Sequence, residues 1–269
     1  MKFFIPLLLI PLFLAGCAGA LVNSPYRQVD QLPMYGGLDR NSIPELKKAD
    51  EDFIAGVSAA MGSREAAAKR FVDQGFAYCD KNNYDYAMRR LNQAWLLDPR
   101  NPEVYWGFSA VLHDQKNIPR AYAMARRAYD LAWRDSSFLA DLGRLSVLRI
   151  VDAQDLTEDQ KSAYIAESES YYQEAVKPGD RLGYIYDSWA SAKYWAGDYA
   201  EAWKLLRKAE ANGGTPSARF FALLGKKMPE PETPSIKVNT SVVGSSSTPQ
   251  SGVYITPPSP DNSGSSQSR

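Results

Sequence analysis

The stretch FVDQGFAYCDKNNYDYAMRRLNQAWLLDPRNP, residues 71–102, decides how the whole chain is read. Large and small residues alternate at helical steps, first Phe71, Gly75 and Tyr78, then Ala87, Leu91 and Ala94. Such three- and four-residue spacing places one face of each segment against a core. Small residues at Gly75, Ala87 and Ala94 let two helices cross closely, and the larger ones fill the space beside them. Tyr84 opens the second helix, and Pro99 separates it from the next segment. Arg89 and Arg90 fall on that helix's solvent side, and Trp95 reads as a packing residue.

The pattern returns about thirty-four residues later as Tyr105, Ser109, Leu112, Ala121, Ala125 and Ala128, with Trp133 where Pro99 stood. A third unit starts with Leu139, Leu142 and Gly143, and its second helix comes late, ending in Ser168, Tyr172 and Ala175. About thirteen extra residues lie between its two helices, and Thr157 with Gln160 has capping-box spacing at the start of the late one. A fourth unit reads Tyr186, Ala190, Ala202, Leu206 and Ala209, with Asp198 and Glu201 again at capping-box spacing. Pro44 suits the first turn of a helix running PELKKADEDFIAGVSAAM, and TPSARFFALLGKK after Gly214 suits a final one.

A period of this length is the mark of a solenoid. Over residues 68–214 the spacing resembles that of tetratricopeptide repeats (TPR). The resemblance implies an all-α fold, a TPR-like right-handed superhelix of antiparallel helix pairs. The pairs would cover 68–101, 102–135, 136–181 with its insertion and 183–214, with an extra N-terminal helix before them. A capping helix at 215–226 would complete a folded region of 44–226.

The chain opens MKFFIPLLLIPLFLAGC. One lysine, then twelve apolar residues from Phe3 to Leu14, is too short to span a bilayer and has the length of a signal-peptide core. Leu14-Ala15-Gly16-Cys17 resembles the lipobox of bacterial lipoproteins. That resemblance implies cleavage after residue 16 and lipidation of Cys17, with the alternative of an ordinary signal in which Cys17 is incidental. Acyl chains contribute about 0.8 kcal/mol per buried methylene, so several of them hold a protein on a membrane. Ala18 in place of an aspartate favours the periplasmic face of the outer membrane. Residues 17–43 read as the lipidated cysteine and a flexible tether, and 227–269 as a disordered tail rich in Pro, Ser, Thr and Gly. The tail reads as a solvated linker by default. It alternatively reaches through the cell wall or offers the docking segment TPPSP at 256–260.

Thirty-one basic residues meet thirty-one acidic ones, which leaves no excess to track phosphates and argues against a nucleic-acid partner. With Cys17 lipidated, Cys79 has no partner for a disulfide within the chain. The single histidine, His113, cannot build a two-histidine metal site, and no HExxH, paired CxxC, GxSxG or Walker loop is present. Neither a cofactor nor a metal is expected, and the chain does not read as an enzyme.

In repeats of this kind the first helix of each pair lines an inner groove. Mapping by spacing turns Val72, Phe76, Cys79, Asn83, Trp106, Ala110, His113, Asn117, Ala140, Arg144, Val147, Asp187, Ser191, Tyr194 and Asp198 inward. Phe76, Trp106, His113, Arg144, Asp187 and Tyr194 are the expected partner-binding residues, because aromatics and arginine anchor interfaces. Trp106 and Tyr194 read equally well as packing residues, and His113 as a polar lining residue. The inward positions lack the Lys and Asn that hold chaperone C-termini in this family. The expectation is a non-enzymatic, lipid-anchored scaffold for a periplasmic or envelope protein or peptide. The alternative is a small-ligand or glycan-binding lipoprotein using the same aromatics.

Overall fold

The computed structural model describes residues 29–153 and 156–231. Among them ten helices follow one another without a strand. They are α1 (Pro44–Met61), α2 (Arg64–Cys79), α3 (Tyr84–Leu97), α4 (Pro102–Asp114) and α5 (Ile118–Asp130), then α6 (Ser136–Asp152), α7 (Glu158–Ala175), α8 (Leu182–Trp195), α9 (Tyr199–Ala211) and α10 (Ala218–Lys227). α2 packs on α3, α4 on α5, α6 on α7 and α8 on α9, while α1 closes one end and α10 the other. This is an all-α, TPR-like stack of antiparallel pairs, as the spacing predicts.

The helix starts follow from short polar side chains that satisfy orphan backbone donors. Ser63, Asn83, Asn101, Asn117, Asp135 and Ser217 each accept from a backbone N–H in the first turn that follows. Thr157 and Gln160 form the reciprocal capping box at α7. The Asp198 side chain accepts from the Glu201 N–H at α9, as an N-cap.

The third-unit insertion lengthens helices instead of making a long loop. α6 has 17 residues and α7 has 18, against 13 each for α4 and α5. α6 is also the most enclosed helix, since every residue from 136 to 148 is buried.

Small residues set the close approaches. A methyl placed on Gly75 would lie 2.7 Å from the Leu91 side chain, and one on Gly107 would also meet Leu91. Leu91 of α3 is thus wedged between α2 and α4 and joins the first unit to the second. Gly143 faces the Tyr172 ring, which stacks on Trp189 with centroids 5.2 Å apart.

Residues 29–43, read from sequence as part of the tether, dock on the helices, 29–37 on α3 and 40–42 on α1. The buried Asn92 amide donates to the carbonyls of Asp30 and Leu32, both at 2.9 Å, and accepts from the Tyr35 N–H at 3.3 Å. Arg89 pairs with Asp30 at 2.7 Å, and Arg40 pairs with Asp50 of α1 while lying 4.1 Å from the Tyr35 ring centre. Met34 and Tyr35, both at φ 52°, occupy the left-handed region. That costs about 1–2 kcal/mol for each non-glycine residue, which burial of Tyr35 and the Asn92 bonds offset. The expected signal peptide, Cys17 with its expected lipidation, residues 18–28 and the expected tail from residue 232 lie outside the described residues.

Candidate functional site

The first helices of the pairs, α2, α4, α6 and α8, carry the residues mapped inward, and side chains of α4, α6 and α8 form a polar network. Its centre is Asp141 on α6, almost fully buried. Arg144, one turn later, donates to its Oδ1 at 2.9 Å, Trp106 Nε1 of α4 donates to Oδ2 at 2.9 Å, and the Tyr184 hydroxyl of α8 donates to Oδ1. Three helices therefore meet on one carboxylate. Two apolar contacts hold the Trp106 ring, Phe76 of α2 edge-on at 5.1 Å and Phe138 of α6 at 6.1 Å.

The electrostatics follow from burial. Loss of water raises the Asp141 carboxyl above the usual range, and Arg144, Tyr184 and Trp106 pull it back. Burial also works against the Arg144 charge, but the oxygens of Tyr184, Asp141 and Tyr172 outweigh it, so the guanidinium remains charged. Asp187, half-buried one turn beyond Tyr184 on α8, is raised by desolvation and drawn down by Arg144. Among the described residues no hydrogen bond or ion pair reaches it.

His113 is fully buried at the end of α4, with Nδ1 3.0 Å from Asp114 Oδ1. Burial lowers it to about 4, so it is neutral at pH 7. Cys79 lies 3.7 Å from Asp114 Oδ2, and burial pushes its thiol up to about 12. A thiol held protonated in this way is unreactive.

Of the six expected binding residues, Phe76, Trp106 and Asp187 are half-buried and stay partly accessible. Arg144 and His113 are buried. Tyr194 is brought elsewhere, into a second apolar cluster with Trp195, Tyr199 and Phe220 at centroid distances of 5.2–5.8 Å. Sequence reasoning missed Asp141 and Tyr184, which join the others. Asp141 is three residues before Arg144, and that spacing on a helix was the available signal.

A cavity of about 450 Å3 lies away from this network, between residues 38–54, the start of α2 and the end of α3. Trp95, Ile54 and Leu96 give it apolar walls, and Lys47, Glu51 and Arg64 line it with charge. Among the described residues no group of three His, Cys, Asp or Glu side chains converges as a metal site, and no helix is long and apolar enough to cross a membrane. Comparison with protein-family models and with curated proteins finds no match.

Proposed function

We propose that the chain is a lipid-anchored, non-enzymatic scaffold of the bacterial envelope, of tetratricopeptide-repeat type. It presents the inner strip of its helix stack to a periplasmic or envelope protein. The observation that carries this reading is the partly accessible line Phe76–Trp106–Asp187, supported from below by the buried Asp141–Arg144 pair. Aromatic rings fixed by packing and by a buried hydrogen bond lose little freedom on binding, which favours an interface. The opening sequence LAGC supplies the anchor at Cys17, and Ala18 directs the protein to the periplasmic face of the outer membrane. Supporting residues that are buried and charged fix side-chain positions without needing a reaction to explain them.

The test is photocrosslinking in intact cells. A benzophenone amino acid at Phe76 should join the chain to one discrete envelope protein, identified by mass spectrometry, and the same group at exposed Asp73 should not. Absence of any adduct from Phe76 sinks the scaffold reading. Labelled palmitate should enter the wild-type chain and not Cys17→Ser, and label persisting in that variant would refute the anchor.

A further inference from the structure

The inner strip is short of one positive charge. Asp141 and Asp187 contribute two carboxylates around a single guanidinium, Arg144, and His113 is neutral. Arg144 donates to Asp141 Oδ1 at 2.9 Å, while Asp187 feels its charge through space. Two buried polar atoms able to accept a hydrogen bond also lack partners among the described residues: His113 Nε2 and Ser191 Oγ. Their residues are 0 % and 6 % exposed. Ser191 lies four residues after Asp187 on α8, hence on the same face. His113 and Arg144 are near enough for their charges to interact.

Buried polar groups without partners are rare in folded proteins, and Ser191 Oγ, on the same helix face as the unpaired Asp187 carboxylate, points to something that fills the strip. We propose that this strip is a subsite for a single organic cation, the ammonium or guanidinium of a lysine or arginine side chain on the bound partner. The proposal rests on the scaffold reading and specifies the partner's chemistry. Asp187 is the charge acceptor. Ser191 Oγ adds a neutral acceptor on the same face. Trp106, held on edge by Phe76 and bonded to Asp141, offers a ring face to the cation's stem. A cation there balances the second carboxylate and removes the burial cost that raises Asp187. A partner carboxylate would instead meet two acids. A divalent metal would lack ligands, because no third carboxylate, histidine or thiol converges.

The probe is tetralysine amide, titrated into the lipidated chain in non-ionic detergent and followed by calorimetry and by the indole N–H resonance of Trp106. Tetracitrulline, of similar length and neutral, is the control. Tetralysine should bind and shift the Trp106 resonance, and tetracitrulline should do neither. Asp187→Asn should weaken binding at least tenfold, whereas Asp73→Asn, which removes the same charge from an exposed site, should change it less than twofold. Equal weakening by both changes, no shift at Trp106, or tetracitrulline binding as well as tetralysine overturns the subsite. The Trp106 shift is read on the wild-type chain, so it decides even if Asp187→Asn folds poorly. Failure of the scaffold is separable, because an adduct at Phe76 that persists in Asp187→Asn cells sinks the subsite alone.

Discussion

His113 and Trp106 both lie on α4, yet the fold uses them in opposite ways. His113 has no exposure, and desolvation holds it neutral down to about pH 4. Its unfolded pKa is about 6.5, so between pH 6.5 and 4 the unfolded chain binds a proton that the folded chain refuses. Its contribution is therefore complete above pH 6.5 and is lost progressively as pH falls towards 4. Asp141 and Asp187 have the opposite sign, because their raised folded pKa values favour the folded state once they are protonated. Denaturant melts from pH 7 to 4.5 should show wild-type stability falling, with a flatter curve for His113→Gln. Equal slopes would refute a buried neutral imidazole. For Trp106 the informative change is Trp106→Phe. It keeps an aromatic ring but deletes the N–H that reaches Asp141 at 2.9 Å. A hydrogen bond to a buried charge contributes about 1.5–3 kcal/mol, and the half-buried position argues for about 2 kcal/mol. Trp106→Ala also loses the Phe76 and Phe138 contacts and should cost more, about 3 kcal/mol or above. Equilibrium unfolding of both variants checks the order, and partner-capture losses in Trp106→Ala must be corrected for it.

Among elements, the backbone of segment 29–37 is tied to its neighbour α3 by one side chain, beside the Arg89–Asp30 pair. Asn92 Nδ2 and Oδ1 hold Asp30, Leu32 and Tyr35, and among the described residues no other side chain of α3 hydrogen-bonds the backbone of that segment. Asn92→Ala should leave those groups unpaired and destabilise the chain by about 2–3 kcal/mol. Hydrogen exchange should then speed up at residues 29–38 and stay slow in α4 and α5, whereas unchanged exchange at Tyr35 would refute the tie. This docking could not be read from the sequence. Pro25, Pro33, Gly36 and Gly37 break any period, and a lone Asn in an amphipathic helix looks like an ordinary surface amide. The pairs themselves were legible because alanine and glycine spacing repeats, and caps such as Thr157 with Gln160 mark the starts. Spacing also gave the inward face of each first helix, but not its depth. It left Arg144 open to a partner, whereas α5, α7 and α8 enclose α6 from 136 to 148. Asp141 was passed over because one more aspartate on a helix carries no pattern of its own.

At the scale of the molecule, the apolar interior divides into two parts of unequal size. One cluster runs from Ala67 to Ala192, and a smaller one joins Tyr194 of α8 to Trp203 and Leu206 of α9 and to Phe220 and Leu224 of α10. In a stacked array each unit is stabilised mainly by its neighbours, and the last needs a cap. α10 is that cap. Phe220 meets Tyr194 at 5.8 Å, Leu224 is fully buried, and Trp203 Nε1 donates to the Met228 carbonyl at 3.0 Å just beyond the helix. Ending the chain after Gly214 removes all three contacts and bares Leu206, Trp203 and Tyr194 together. Burying a large apolar side chain contributes about 1.5–3 kcal/mol, so Phe220 and Leu224 together supply about 3–6 kcal/mol to the last pair. The neighbouring interface of α8 with α6 and α7 is separate, because Tyr172 of α7 bonds Ser188 at 3.0 Å, Ser188 reaches the Ala140 carbonyl of α6 at 3.2 Å, and Tyr172 stacks on Trp189. The truncated chain should therefore lose exchange protection in α9 and the C-terminal turns of α8, and bind a hydrophobic dye. Protection in α2 to α5 should stay at the wild-type level. Uniform loss of protection from α2 to α9 would show that the stack melts as one unit and that the two clusters are not separable.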